Sequence, residues 1–178
     1  MKLPEFIRKF FLKKAVVNVI MSRKPDFKIG PENDPYMERW FLIPHNHFFN
    51  IYLHYMHHDD DDVLHDHPWK SLSFILSAPQ ALIERYATKF VTRFSSELNE
   101  SIKLPIIEER QIQEGQIVYR NETFAHQLIV PTHTITLFFT WRTVREWGFY
   151  CPNGWKNGRD YVNVRDNVST IGRGCGDV

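Results

Sequence analysis

The stretch Val63-Leu64-His65-Asp66-His67-Pro68-Trp69 follows a run of four aspartates and precedes a segment of alternating polar and apolar residues. In an extended strand successive side chains point to opposite faces, so His65 and His67 share one face and Asp66 points to the other. Two imidazoles on one face can chelate a single metal ion. Imidazole binds Zn, Cu, Fe and Ni, so this stretch predicts a metal site without choosing the metal.

A second histidine pattern lies downstream. Gly115 is followed eleven residues later by His126, across a stretch that reads as turn, short strand, turn and strand. Together with His65-x-His67, this arrangement resembles the two metal-binding motifs of the cupin superfamily, over roughly residues 45–150. The resemblance implies an all-β chain folded as a cupin-type double-stranded β-helix (a jelly-roll barrel), with one divalent metal held by His65, His67 and His126.

Several residues depart from the cupin pattern. The Gly expected before the first His is Asp59, and the Glu expected after the second would fall on Ser71 or Leu72. The segment 65–68 is also similar to the first motif of the thiol dioxygenases within that superfamily, which use three histidines and no carboxylate. The wider run, 39–149, is similar to cupin-like proteins of phage and bacterial genomes, a resemblance that implies a fold and not a reaction.

The composition indicates one domain with an aromatic-rich core that favours strands. The chain has 178 residues, of which 43% are hydrophobic, and it includes 14 Phe, 7 Tyr and 5 Trp. Its 22 basic and 21 acidic residues give a net charge of +1, so no nucleic-acid partner is expected. Short strands separated by turns are typical of a sandwich or a small barrel.

The two cysteines, Cys151 and Cys175, are too few for a disulfide framework, so the sequence favours a reducing compartment and a cytoplasmic location. Cys175 lies in a Gly-rich tail. It could fold back over the pocket or remain a free exposed thiol, and the sequence leaves both open.

The region from Pro4 to about Arg23 is predicted to form an amphipathic helix. Apolar side chains recur near helical spacing beside basic residues: Phe6, Phe10, Val17 and Ile20/Met21. Its apolar stretches are too short to span a bilayer, so no transmembrane segment is expected. Such a helix ordinarily docks against its own domain, whereas docking against a second copy would make the protein a homodimer.

The predicted organisation has three parts, with boundaries at 1–35 for the helix and connector, 36–150 for the barrel and 151–178 for a tail on or near the barrel. Within the barrel, Ser71–Ser77 and Ala81–Ala87 are predicted to pair as a hairpin across Ala78-Pro79-Gln80. A polar excursion, Ser95–Leu104, separates two further predicted strands.

The same alternation predicts the lining of the pocket. If His65 and His67 face inward, Ser71 and Ser73 do so as well, and their small side chains leave room for a substrate that they contact. Guanidinium pairs bidentately with carboxylate or phosphate. Four arginines are therefore candidates for binding an anionic substrate: Arg85, Arg120, Arg142 and Arg145.

A rival ligand set is present. His58-x-Asp60, with His133 and with Arg142 nine residues after it, resembles the facial triad and cosubstrate arginine of the 2-oxoglutarate oxygenases. Those enzymes share the double-stranded β-helix. His58 and Asp60 lie in a hydrophilic run and His133 follows a proline in a turn, so the set of His65, His67 and His126 is preferred.

Three neutral ligands leave coordination positions open, as catalytic metal sites do. The favoured interpretation is an Fe(II)-dependent dioxygenase that acts on a small polar or anionic molecule, with Zn, Ni or Mn as alternative metals. A metal-dependent isomerase or lyase is one alternative. A non-catalytic cupin that binds a sugar, a nucleotide or a protein partner is another, because a fold can persist without its chemistry.

Overall fold

The computed structural model describes residues 1–96 and 99–176, so the tip of the predicted excursion and the last two residues of the tail lie outside the described residues. One helix and a π-helical turn precede thirteen strands, and a second short helix lies near the end. In chain order these are α1 (Glu5–Ala15), the π-helical turn (Val16–Ile20), β1 (Phe27–Ile29), β2 (Met37–Phe41), β3 (Phe49–Met56), β4 (Ser71–Ser77), β5 (Leu82–Ser95), β6 (Glu100–Ile112), β7 (Ile117–Arg120), β8 (His126–Ile129), β9 (Thr134–Trp141), β10 (Gly148–Cys151), β11 (Gly154–Asn157), α2 (Gly158–Tyr161), β12 (Val162–Arg165) and β13 (Val168–Ile171).

Eight strands form one sheet in the order β12-β13-β1-β2-β3-β9-β4-β7. Its neighbours are antiparallel apart from the parallel β1–β13 pair. A three-stranded sheet, β6-β5-β8, and the β10–β11 hairpin complete the architecture. The prediction of a mostly β chain with an N-terminal helix is confirmed. The described strand pairs do not close into a barrel, because the edge strands β12 and β7 do not pair with each other.

The predicted hairpin of Ser71–Ser77 with Ala81–Ala87 is wrong. β4 pairs with β9 and β7, whereas β5 pairs with β6 and β8. Ala78-Pro79-Gln80 lacks the Gly or Asn that tight hairpin turns favour, and it carries the chain from one sheet to the other. The described part of the excursion Ser95–Leu104 lies mostly in the long β5–β6 ladder, which runs out to the Ser95–Glu100 pair.

The N-terminal helix packs on the eight-stranded sheet, and of the predicted apolar residues Ile20 contacts the core. Phe6, Phe10, Val17 and Met21 are exposed. The core around Trp40 and Leu53 is contacted instead by five residues that recur at regular helical spacing: Leu12, Ala15, Val16, Val19 and Ile20. Of the helices that the structure describes, none is long and apolar enough to cross a membrane.

A second core cluster draws residues from both sheets and so shows that their faces pack together. Met37, Met56 and Ile75 come from the eight-stranded sheet, and Leu82 and Ile112 come from the three-stranded one. All five are less than a tenth exposed. This cluster forms part of the wall of an internal cavity that is described below.

Asp66 joins the His-Asp-His stretch to the β10–β11 hairpin. Its side chain is fully buried, as strand alternation predicts for the face opposite the histidines. Its Oδ1 accepts a hydrogen bond from Gly148 N at 2.8 Å. Its Oδ2 contacts Arg145 Nη1 at 2.8 Å, Tyr150 OH at 3.1 Å and Trp155 Nε1 at 3.3 Å. Four donors therefore share one carboxylate that has no access to water.

Cys151 and Cys175 form a disulfide, so the free-thiol alternative is wrong. The bond connects β10 to the segment that follows β13, and Cys175 packs against a small core of Phe149, Cys151 and Tyr161. Disulfides persist mainly in oxidising compartments. The two cysteines therefore no longer indicate a reducing compartment.

Replacing Asp66 by Asn should lower the free energy of unfolding by about 3 kcal/mol, because an amide nitrogen would face donors and the Arg145 charge would lose its partner. Urea unfolding followed by fluorescence measures this change. Asp166→Asn, which makes the same substitution on an exposed turn, is the matched control. Equal stability of the two variants would contradict the anchoring role.

Candidate metal centre

Three histidines converge where the His-Asp-His stretch meets β8. His65 and His126 form an antiparallel bridge, in which each backbone N–H donates to the other residue's carbonyl at 2.9 Å. His67 lies against both, with ring centroids 5.0 Å from His65 and 5.2 Å from His126. Each residue offers one ring nitrogen, and these atoms all lie within 4.8 Å of one another. The described residues contain no second group of three potential ligands.

The hydrogen bonds of His126 fix which of its nitrogens faces the cluster. His126 Nδ1 lies 2.8 Å from Glu84 Oε1, so we infer that Nδ1 carries the proton and donates it. The Nε2 atom is then unprotonated and has a free lone pair, and it lies 3.0 Å from His67 Nε2. A carboxylate that holds the far nitrogen of an imidazole is the usual way in which proteins orient a metal-binding histidine.

Burial keeps the imidazoles of His67 and His126 neutral. It lowers the pKa of His67 well below its usual range, and the positive charge of Arg120 adds to this effect. Burial also lowers the pKa of His126 to about 3, although the hydrogen bond to Glu84 opposes the shift. Neutral imidazole is the form that binds metal, so both rings are ready to bind at neutral pH.

Glu84 is a central residue of the site that the sequence did not reveal. It is fully buried on β5 and accepts hydrogen bonds from Arg120 Nε at 2.6 Å, Arg110 Nε at 2.6 Å and His126 Nδ1 at 2.8 Å. Burial alone would raise the pKa of Glu84, but Arg120 and the other partners lower it well below the usual range. The sequence gives no clear signal for this position, because Leu82 and Ile83 are both apolar and so do not indicate which face of the strand is buried; the structure shows that Leu82 and Glu84 share the buried face.

His65 is held between the cluster and the acidic run. Its Nε2 lies 3.4 Å from Asp60 Oδ2, and both side chains are nearly buried. Its Nδ1 is buried and has no hydrogen-bond partner among the described residues. Burial raises the pKa of Asp60. A buried imidazole nitrogen without a partner destabilises the protein by about 1–3 kcal/mol unless a ligand satisfies it, so the donor set fits a bound metal ion.

The remaining aspartates of the run join this loop to its surroundings. Asp59 Oδ1 accepts from Val130 N at 2.6 Å, and Asp62 Oδ1 accepts from Gln127 Nε2 at 3.0 Å. Asp61 is hydrogen-bonded to the hydroxyl of Tyr161. These contacts hold the loop in place beside the histidines.

The histidines lie in the wall of a cavity of about 560 Å³, a volume within the range of about 300–1,000 Å³ that small-molecule pockets occupy. Ser71 and Ser73 line it, as predicted from strand parity, and so does Arg120, whose Nη1 donates to Ser73 Oγ at 2.8 Å. Much of the wall is apolar, for example Met56, Ile75 and Phe138.

The other predicted arginines lie outside this cavity. Arg85 pairs with Glu109, with Nε 2.7 Å from Oε1. Arg145 pairs with Asp66 and donates to Glu122 O at 2.7 Å. Arg142 is exposed. Arg39, which was not predicted as a site residue, does line the cavity and hydrogen-bonds His54 there.

The rival ligand set does not come together in the structure. His58 lies 3.6 Å from Asp34, and His133 is hydrogen-bonded through Nδ1 to the hydroxyl of Tyr55. Of the three residues in that set, Asp60 alone lies beside the cluster of His65, His67 and His126.

No family model matches this sequence, and no curated protein sequence matches it. Solved structures with a similar backbone include Fe(II) HppE in complex with substrate, at a TM-score of 0.45 and 13% identity over 67% of this chain and 56% of that chain. DMSP lyase DddQ from Ruegeria pomeroyi gives a TM-score of 0.39 and 16% identity over 61% of this chain and 47% of that chain. Protein NMB1881 from Neisseria meningitidis gives a TM-score of 0.40 and 12% identity over 61% of this chain and 87% of that chain. These similarities are too distant to assign a family, an activity or a ligand.

The metal-free protein should lose stability as the pH falls below about 6.5, where histidines of the unfolded chain gain protons that His54, His67 and His126 cannot gain while buried. Each depressed histidine pKa contributes a slope of about 1.4 kcal/mol per pH unit between the unfolded and the folded pKa. His126→Gln should remove one such contribution down to a pH of about 3.

Urea unfolding in EDTA at a series of pH values measures these slopes. His47→Gln, which changes an exposed histidine, is the matched control. The same slope in His126→Gln and in the wild type would contradict the buried, neutral state of His126.

Proposed function

We propose that this protein is a cupin-type metalloprotein that binds one divalent metal ion through His65, His67 and His126 and acts as an Fe(II)-dependent dioxygenase on a small polar or anionic molecule. The observation that carries the proposal is the convergence of three imidazoles, two buried and one half-buried, on the wall of a cavity of about 560 Å³. Catalytic metal sites typically combine three protein ligands with open positions.

Unpartnered polar atoms support a ligand in this cavity. His65 Nδ1, Trp69 Nε1 and Ser71 Oγ are buried without a hydrogen-bond partner among the described residues, and all three residues line the cavity. Buried polar groups are nearly always paired, so groups like these mark places where a bound molecule supplies the partner. A polar small molecule fits this requirement better than a purely apolar one.

The protein's own residues would hold and orient the reacting groups. Glu84 keeps His126 in one tautomer, and Arg120 stays along the wall through its contacts with Glu84 and Ser73. The apolar wall excludes water, which strengthens polar interactions inside the cavity. When bound, Fe(II) would supply redox chemistry toward O₂, whereas Zn²⁺ would supply a Lewis acid.

A metal-dependent lyase or isomerase is the second candidate, and Asp60 favours it. This buried carboxyl lies 3.4 Å from His65 and lines the cavity, where it could exchange a proton with a substrate, and burial raises its pKa above the usual range. Asp60→Asn would abolish activity of that kind while leaving metal content unchanged.

Purified protein should contain about one Fe, Ni, Mn or Zn per chain, and the double variant His65→Ala/His67→Ala should lose it. Elemental analysis after exhaustive dialysis measures the content, with circular dichroism to verify folding. His58→Ala is the control, because it removes a histidine of the rival set and should retain the metal. Equal content in the double variant and the wild type would contradict the proposed ligands.

Anaerobic reconstitution with Fe(II), followed by O₂-uptake measurements across thiols, amino acids and 2-oxoglutarate, tests the dioxygenase. Substrate-dependent uptake should occur and should fall at least a hundredfold in His126→Ala. Tightly bound Zn or Ni without uptake would contradict the dioxygenase and favour the lyase or isomerase. Stabilisation by a sugar or nucleotide without metal would favour the non-catalytic binder.

A further inference from the structure

A guanidinium without a carboxylate partner faces the same cavity. Arg39 lies on β2 directly opposite His54 on β3 in the antiparallel register, and both residues line the cavity. Arg39 Nε donates to His54 Nε2 at 3.0 Å. Its Cζ lies over the Tyr52 ring, 5.0 Å from the centroid. These contacts hold the arginine in place through Nε and through its flat face, so the Nη edge remains available.

None of the acidic side chains that the structure describes forms an ion pair with Arg39. His54 cannot balance the charge, because an imidazole is either neutral or positively charged; burial, and then Arg39, lower the pKa of this histidine well below its usual range and so favour its neutral form. Arg120, the other arginine of the cavity, differs because it forms an ion pair with Glu84, a carboxylate that it shares with Arg110. Arg39 therefore contributes to the cavity a positive charge with which no described carboxylate pairs directly, although Asp59, Asp60 and Asp61 also line the cavity.

A charge that is partly removed from water is costly unless it is paired. Arginine meets this requirement with a carboxylate, which accepts two parallel N–H bonds from the guanidinium fork. The surrounding wall is apolar, with Phe27, Met37 and Phe138 among the lining residues. Such a wall suits a short hydrocarbon body better than a sugar.

We propose that Arg39, positioned by His54 and Tyr52, is the anion-binding residue of the cavity and that the ligand is a small carboxylic acid with a short apolar body. The carboxylate pairs with the Nη edge of Arg39, while the rest of the molecule extends along the apolar wall. This inference specifies the substrate class of the proposed function and rests on it. The binding of the acid itself needs only the cavity and Arg39.

Isothermal titration calorimetry with full-length, EDTA-treated protein tests this assignment without any metal. Butyrate and 3-phenylpropionate are the probes, and their primary amides are neutral analogues of the same shape. The wild type should bind at least one acid tenfold or more tightly than its amide. Arg39→Gln should weaken binding of the acid by about 10- to 100-fold and remove this preference.

Arg142→Gln is the matched control, since it removes the same charge from an exposed arginine outside the cavity, and it should bind like the wild type. Arg39→Lys keeps the charge but not the fork, so it should bind with intermediate affinity. If Arg39→Gln does not fold, the preference of the wild type for acid over amide and the Arg39→Lys variant still decide the question.

Equal affinity for acid and amide in the wild type, no binding of any acid at millimolar concentration, or unchanged binding in Arg39→Gln would each overturn the proposal. Failure here is distinguishable from failure of the metal site. Loss of metal in His65→Ala/His67→Ala together with no acid preference would refute the carboxylate assignment alone. An acid preference that depends on Arg39, in a protein that binds no metal, would refute the metalloenzyme and leave the carboxylate site intact.

Discussion

The ionised, buried carboxylate of Glu84 is the interaction on which the site depends. It lies on β5 and receives hydrogen bonds from Arg110 on β6, Arg120 on β7 and His126 on β8. One side chain therefore connects all three strands of the smaller sheet to the edge of the larger one. A buried carboxylate is stable in this form only because its donors outweigh the desolvation that would otherwise protonate it. If Glu84 were protonated or removed, His126 would no longer be held in one tautomer and Arg120 would lose the contact that positions it.

Asp66 performs the corresponding task on the opposite face of the His-Asp-His stretch. Its carboxylate is held by the β10–β11 hairpin. His65 and His67, which flank Asp66 in the sequence, line the cavity. Asp66 thus fixes the stretch that carries His65 and His67, and Glu84 fixes His126. Because both acids are satisfied by protein donors, the arrangement of the three imidazoles does not require a metal ion to exist. This is the preorganisation that a functional metal site needs.

The local part of this arrangement, the direction of side chains along one strand, could be predicted from the sequence. The part that depends on which distant strands pair could not. Alternation predicted the opposite directions of His65 and Asp66 and the inward positions of Ser71 and Ser73. It could not predict that β4 pairs with β9 and not with β5, because that pairing joins residues that are 58 to 69 positions apart in the sequence. The same reason explains why Arg39 was overlooked, since only the β2–β3 register places it against His54. The helix face was missed because apolar residues lie on more than one face of the helix: Phe6 and Phe10 are exposed, whereas Leu12, Val16 and Val19 contact the core.

The charges inside the cavity explain why a neutral triad and a lone arginine belong together. Arg110 and Arg120 share the single carboxylate of Glu84, and the carboxyl group of Asp60 lies 3.4 Å from His65. A divalent ion held by three neutral imidazoles would bring two positive charges that no ligand residue offsets, and Arg39 already provides a third. A largely apolar interior does not stabilise such an excess by itself. An anionic ligand would remove this excess of positive charge. The lack of a metal-binding carboxylate, which departs from the cupin pattern, would therefore make the site select anionic ligands.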